Sequence, residues 1–369
     1  MVAADAGDDA AGTPTSLQGP VLVVGAGLLG TSTALALRRR GIDVALHDVS
    51  HQNLRIASGI GAASVEPHEI TPQLVVVAVP PDSLAGEIAR ALRDTDAVVT
   101  DVGSVKGAPL AGARRLTTAE QLTRYVGSHP MAGSERSGPF AASEALFDGR
   151  PWAVTPHETS AKDGIVLVTD LARLCGATPV TFTPGEHDEA VARTSHLPHL
   201  LAALVAGRLA DAPQDHLALS GQGVRDVTRI AAGDAELWQQ IISANTDALT
   251  RLLVDVRDDV QALLTALAEG DRAAVSAVLD RGVQGTAVIP GKHGTPTPAT
   301  ATVLVAIPDH PGELARLFAD AGDIGVNIED LRIDHDPERE YGLVELSVAA
   351  DTADHLLGSL QERGWTAHR

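Results

Sequence analysis

The stretch VLVVGAGLLG, residues 21–30, decides the fold. A short apolar run reads as a buried strand, the glycines as a turn, and residues 31–40 as a helix that stops at Gly41. In that setting GAGLLG follows the pattern G-x-G-x-x-G. Gly25 allows the tight turn, Gly27 lets a pyrophosphate approach the backbone, and Gly30 lets helix and strand pack closely. The opening N–H groups of the helix, at the positive end of its dipole, suit phosphate. A second strand, residues 43–48, ends on Asp48, where a carboxylate can accept from ribose hydroxyls. Glycines alone would be explained by turn sterics. Strand, glycines, helix, strand and terminal acid together indicate a dinucleotide site built from Gly25, Gly27, Leu28, Leu29, Gly30 and Asp48. An acidic residue there, with His51 and no arginine directly after it, points to NAD rather than NADP.

Outward from this unit, apolar runs at 74–79, 97–101, 125–128 and 152–155 alternate with helical stretches, one starting after Pro80-Pro81. The alternation predicts a parallel, doubly wound sheet through about residue 182. The pattern then becomes helical, with segments at 188–210, 217–231, 235–268 and 271–281. Leu249, Leu252, Leu253, Val256, Val260, Leu263 and Leu264 recur at helical spacing. Such a helical region, following a nucleotide-type domain, is where two copies are expected to pair as a homodimer. VIPGKHGTPTPAT reads as a linker. Beyond it the order strand, helix, strand, strand, helix, strand is that of a ferredoxin-like unit. The expected organisation is therefore a disordered tail at 1–17, a Rossmann-type domain at 18–183, an all-helical middle domain at 184–282, a linker at 283–299 and a small α+β domain at 300–369.

Composition narrows the partners. With 369 residues and a formal charge of −20, the chain is a poor match for nucleic acid or an anionic membrane, although clustered arginines and histidines can still make a local anion site. Cys175 is the only cysteine, so neither a disulfide framework nor a thiolate metal cluster is expected. The acidic start lacks a secretory pattern, and LPHLLAALVAGRLA is too short to span a bilayer and is broken by Arg208, so a cytoplasmic location is expected.

Two further segments carry chemistry. VTDVGSVKG, residues 99–107, runs from a strand end, the edge where ligands bind in such sheets. There Ser104 can donate a hydrogen bond and Lys106 can add positive charge, although a capping serine beside a surface lysine explains the segment equally well. SHPMAGSERSGPF, residues 128–140, reads as a loop carrying His129, Glu135 and an arginine among small residues. A neutral imidazole near its reference pKa of about 6.5 is suited to taking a proton at physiological pH.

The ordered set VGAGLLGTS, DVGSVKG, SHPMAGSERSG, LFDGRPWAVTP, EHDEAVARTSHLPH and VRDVTRIAAGDAELW resembles the prephenate dehydrogenase family, with its arogenate-using relatives, over about residues 21–281. DHPGEL and VNIEDL make the tail resemble an ACT domain. The resemblance implies an NAD-dependent oxidative decarboxylation in tyrosine biosynthesis, with prephenate or arogenate as the small anionic substrate. It makes His129 the catalytic histidine and Ser104 the residue that helps hold it. Arg229 would bind the substrate carboxylate, His199 would lie near the substrate side chain, and Glu135 would stand at the entrance. Asp226 and Trp238 would support or line the pocket. For the ACT-like tail, Asp309, Pro311, Gly312 and Asn327 become candidates for a tyrosine effector site, against a purely structural or dimerising role.

Blander explanations compete at several of these positions. Asp226 and Arg229 can be an i,i+3 ion pair, and Trp238 is expected to pack in a core. His187, His196 and His199 can be ordinary helix positions; no thiol or obvious carboxylate completes a metal site with them. A non-catalytic NAD sensor is the binding-only alternative. A hydroxyacid dehydrogenase of the type that uses a lysine in its later domain is disfavoured, because residues 185–281 contain no lysine.

Overall fold

The computed structural model describes residues 15–132, 137–289, 300–334 and 341–369. The chain divides into two compact units, one ending at Leu264 and the other beginning at Thr265.

In the first unit β1 (Val21–Val24), α1 (Leu28–Arg39), β2 (Val44–His47), α2 (His51–Gly59), β3 (Leu74–Val77), α3 (Pro81–Asp94) and β4 (Val98–Asp101) form an alternating run. The four strands make a parallel sheet in the order β2-β1-β3-β4. β3 is buried at every position. Leu74 and Val76 belong to the core shared with α1, whereas Val75 and Val77 face the core shared with α3. That period of two is why an unbroken LVVV run suits a strand covered on both faces. Each such side chain contributes roughly 1.5–3 kcal/mol through burial.

α4 (Gly107–Leu116) and α5 (Ala119–Leu122) lead to a second, three-stranded sheet of β5 (Gly127–Pro130), β6 (Pro151–Thr155) and β7 (Thr178–Thr181), with α6 (Lys162–Leu174) between the last two. β6 runs antiparallel to β5, so the sheet is not parallel throughout as the alternation predicts. Ahead of β5 the chain lies along β4: Val99 N–H donates to Arg124 O, and Val126 N–H donates to Val99 O, at 2.9 and 3.0 Å. The ends of β4 and β5 are thereby brought together. β5 begins two residues later than the apolar run suggests, which places His129 in a strand opposite Ala153 rather than in a loop.

The helical region is more broken than its periodicity predicts. α7 (Pro184–Val191) passes through a π turn (Ala192–His196) into α8 (Leu197–Gly207); α9 (Gln214–Leu217) and α10 (Gln222–Arg229) follow. One expected helix is split at Asn245 into α11 (Ala235–Ala244) and α12 (Thr246–Glu269). Two expected boundaries move. Residues 15–17 are not free tail: Ser16 N–H and Oγ–H donate to Asp170 Oδ2 at 2.8 and 2.7 Å, and Leu17 is buried. At the other end α13 (Arg272–Ala287) continues past residue 282 into the expected linker, and 290–299 lie outside the described residues.

In the second unit, after α13, β8 (Thr300–Pro308), α14 (Glu313–Ile324), β9 (Ile328–Asp334), β10 (Tyr341–Ala349), α15 (Ala353–Glu362) and β11 (Thr366–His368) build an antiparallel sheet in the order β11-β8-β10-β9. That is the ferredoxin-like arrangement expected. Val303, Val305, Val344 and Leu346 pack with Leu317 and Leu356 in its core. Among the described residues no helix is long and apolar enough to cross a membrane.

Candidate active site

The turn between β1 and α1 shows why its glycines are spaced as they are. Gly25 has φ +108°, and a Cβ there would lie 2.2 Å from Ala78 O; a Cβ on Gly30 would lie 1.9 Å from Gly25 O. Both are required by close packing within the protein. Gly27 differs, because a Cβ there meets no protein atom within 4 Å. It is the N-cap of α1 and makes no side-chain cap, leaving the first-turn N–H groups of Leu28, Leu29 and Gly30 to an incoming group. Thr31 Oγ1, in the same turn, is buried and has no hydrogen-bond partner among the described residues. Asp48 is fixed beside this turn, its Oδ2 accepting from Ala26 N–H and its Oδ1 from Ser50 N–H, each at 2.6 Å. An open helix start with a fixed carboxylate at the next strand end fits a dinucleotide.

At the neighbouring strand ends lies a buried polar cluster. His129 is 8% exposed and its Nδ1 is 3.0 Å from His187 Nε2. His187 Nδ1 is in turn 2.9 Å from Asp188 Oδ1. Asp188 also accepts from the N–H groups of Lys106 and Gly107, at 2.8 and 2.7 Å, and so caps the start of α4. Beneath them Lys106 is buried in an ion pair with Asp101 and donates to Ser128 O at 2.6 Å. Asp101 also accepts from Tyr125 O–H at 2.8 Å and from Gly103 N–H at 2.9 Å. Lys106 is therefore not the free positive charge expected in the crevice; its charge is neutralised by a carboxylate five residues earlier.

Burial sets the protonation of this cluster. It holds His129 well below the ordinary imidazole value, reinforced by His187, Lys106 and His196. Burial also lowers Lys106, opposed by Asp101, and raises Tyr125, where Asp101 adds to the effect. His129 is thus neutral at physiological pH, the state required of a base.

A second group of rings lies on the π turn and the helices after it. His199 stacks on Trp238, with ring centroids 3.5 Å apart and planes 11° from parallel, and His196 meets the same indole edge-on at 6.1 Å. Trp238 is therefore a half-exposed stacking platform rather than core. Asn245 Nδ2 lies 3.2 Å from His196 Nδ1 and donates to Asp188 O at 2.8 Å, tying this group to the first. Burial pushes His196 down to about 4 and also lowers His199, against a hydrogen bond to the Ile230 carbonyl. π turns commonly mark functional sites, since the extra residue re-aims the side chains that follow.

Not every expected site residue joins these clusters. Ser104 is half-buried in the segment between Asp101 and Lys106. Arg229 and Asp226 are exposed on α10; Asp226 accepts from the Gln222 amide at 2.9 Å, so the i,i+3 pair does not form. Among the described residues Arg229 has no ionic partner. Glu135 lies outside the described residues. In the ferredoxin-like unit Asp309, Pro311 and Gly312 are exposed between β8 and α14, and Asn327 donates to Glu329 Oε1 at 2.7 Å. Sequence reasoning missed the parts played by Asp101, Tyr125, His187, Asp188 and Asn245. Only EHD at the start of a Thr-Pro-capped helix carried a signal. Among the described residues no group of three or more His, Cys, Asp or Glu is placed to hold a metal.

Comparison with known proteins bears on the same two regions. Residues 33–181 match the model for the prephenate dehydrogenase nucleotide-binding domain, and residues 183–281 match that for the prephenate dehydrogenase dimerization domain. A probable prephenate dehydrogenase, NovF, of Streptomyces niveus is 36% identical over 360 residues, covering 94% of this chain and 99% of that protein. The prephenate dehydrogenase of Bacillus subtilis is 25% identical, covering 90% and 92%. Among solved structures, A. aeolicus prephenate dehydrogenase in complex with hydroxyphenyl propionate and NAD+ superposes with a TM-score of 0.66 at 25% identity, covering 73% of this chain and 98% of that one. Synechocystis arogenate dehydrogenase gives 0.62 at 26% identity, covering 72% and 98%.

Proposed function

Because this chain belongs to the prephenate dehydrogenase family, we propose that it converts prephenate to 4-hydroxyphenylpyruvate and carbon dioxide with NAD, with His129 as the base. The observation that carries this reading is the buried imidazole of His129, held neutral at a strand end beside the glycine turn's sheet. When bound at the glycine turn, NAD would supply a hydride acceptor. His129 takes the proton of the ring hydroxyl as the carbon beneath it loses hydride, and returns it to the same oxygen once the ring carboxylate has left as carbon dioxide and its bonding electrons have made that oxygen a phenolate. No net proton is released. Aromatisation supplies the driving force, so the protein contributes placement and charge.

For the substrate's carboxylates we assign Arg229, whose guanidinium is solvated and available for a bidentate contact. The His199–Trp238 stack presents a flat wall to the substrate side chain, with Asp226 on α10 supporting the pocket. Ser104 lies in the segment that precedes Lys106, where a hydroxyl can serve His129 and the substrate hydroxyl, and Glu135 is assigned to the entrance. Gly27, Leu28, Leu29 and Asp48 hold the dinucleotide. Exposed Val224, Val227, Val260 and Leu264, within the region matching the dimerization model, support a homodimer. The exposed loop with Asp309, Pro311 and Gly312, together with Asn327, is assigned to tyrosine feedback. Activity that does not change at saturating tyrosine removes that last assignment.

The deciding experiment offers prephenate and arogenate, each with NAD and NADP, and follows reduced nicotinamide by absorbance. Turnover of prephenate with NAD is expected. Preference for arogenate overturns the substrate choice, and no turnover of either overturns the function.

A further inference from the structure

Behind His129 the hydrogen bonds form a directed chain, and one acceptor sets its direction. Asp188 meets three donors: Lys106 N–H, Gly107 N–H and His187 Nδ1. A carboxylate surrounded by three donors acts only as an acceptor. The proton between Asp188 and His187 therefore sits on His187 Nδ1. A neutral His187 then offers Nε2 as a lone pair, and His129 Nδ1, 3.0 Å away, must donate to it. Of the four ring nitrogens, His129 Nε2 is left without a proton and, among the described residues, without a hydrogen-bond partner. The reverse polarity would need a charged His187 next to the buried ammonium of Lys106.

We propose that His187 and Asp188 are positioning residues that lock His129 in its Nδ1–H tautomer and so present Nε2 to the substrate hydroxyl. The inference rests on His129 being the base.

The scaffold around the pair is rigid. α7 opens with a capping box, in which Thr183 and Glu186 bond reciprocally, and ends in the π turn. The carbonyl of Asp188 is held by Asn245. His129 lies in the segment matching the nucleotide-binding model, and the two residues that orient it open the segment matching the dimerization model. Neither part alone contains an oriented base. A carboxylate that fixes an imidazole tautomer is worth far more to turnover than to binding, because it acts only once the proton moves.

The test has a readout that does not depend on activity. In the full chain with 15N-labelled histidine, two-bond 15N–1H correlations report the tautomer of each ring, and His129 is identified by the signal lost in H129N. Without substrate or nucleotide, His129 is expected to carry its proton on Nδ1 in the wild type and to shift toward Nε2–H in Asp188→Asn, whose amide can present a donor to His187. In turnover assays Asp188→Asn should lower kcat by ~10²-fold or more, with KM for substrate and nucleotide little changed. His187→Gln keeps an oxygen that accepts from His129 Nδ1–H and should retain kcat within roughly tenfold of wild type, whereas His187→Leu should fall as far as Asp188→Asn. A wild-type His129 protonated on Nε2, or Gln and Leu variants that lose activity equally, overturns the proposal. Because the spectra are recorded on the free protein, a failure of the tautomer assignment is separate from a failure of the prephenate reading.

Discussion

The pocket around His129 and the helix that carries Arg229 are built on opposite plans. His129, Lys106, His187 and His196 are each less than a tenth exposed, and all are hydrogen-bonded to protein. No residue of α10 is buried, and Val224 and Val227 face solvent beside Arg229. The difference follows from what each group must do. A base needs a fixed protonation state and a fixed direction, which come from desolvation and a rigid strand end. A guanidinium that meets an anion should stay solvated until the anion arrives, because burying it unpaired would cost several kcal/mol. In the proposed function, chemistry is invested in the sheet edge and recognition in the helices.

His129→Asn breaks the first plan most directly. Asn retains an amide donor near the position of Nδ1 but has no group that takes a proton. Turnover is expected to fall by roughly 10²–10⁴-fold, with melting temperature and substrate KM little changed. A kcat within tenfold of wild type would move the base elsewhere. The same desolvation makes this region sensitive to acid. His196 titrates at about 4 in the folded chain against ~6.5 when unfolded, so protons favour the unfolded state below that value. Its contribution is intact above pH ~6.5 and is lost progressively as the pH falls toward 4, by up to roughly 3 kcal/mol. Urea midpoints at pH 7.5 and 4.5 should therefore differ more in the wild type than in His196→Gln; equal differences would mean the ring is solvated.

The two plans were not equally legible in sequence. Gly25, Gly30 and Asp48 could be read because backbone sterics fix their spacing within one strand–turn–helix. The ferredoxin-like topology was readable from the order of elements alone. His129 stood out as a residue, yet its place in β5 did not, since SHP carries no strand signal and pairing with Trp152 and Ala153 decides it. His187 looked like His196 and His199. What distinguishes it is a partner 58 residues earlier in the chain, which no local pattern records. The π turn and the break at Asn245 were hidden for the converse reason: apolar residues keep helical spacing through both. Lys106 was misread because a lysine is usually solvated, and its burial depends on Asp101 and the Ser128 carbonyl meeting across two strands.

Arg229→Ala tests the recognition side and should produce the mirror image of His129→Asn. Loss of a charge-assisted contact of about 1.5–3 kcal/mol predicts a KM for prephenate higher by roughly 10–150-fold. Affinity for NAD and the melting temperature should hold, since the side chain has no protein partner to lose among the described residues. Equal losses of substrate and nucleotide affinity would instead make α10 a structural element, and the contrast between the two regions would disappear.

Asp48→Ala is expected to have the smallest effect, and it falls between the two plans. Its carboxylate is already held by Ala26 N–H and Ser50 N–H, so it is pre-positioned like the His129 cluster, yet it is only half-buried, and in the proposed function it meets a ligand as Arg229 does. Each oxygen keeps a lone pair for a ribose hydroxyl after accepting from the backbone. Removing the group should raise the KM for NAD by roughly tenfold, about 1.4 kcal/mol. It should also narrow the preference for NAD over NADP, because the carboxylate that repels a 2′-phosphate is gone, while kcat at saturating nucleotide stays near wild type. The ratio of kcat/KM for the two nucleotides is the measurement to make. A ratio that does not move would show that Asp48 serves only to tie the glycine turn to the start of α2, and that the ribose is read by another residue.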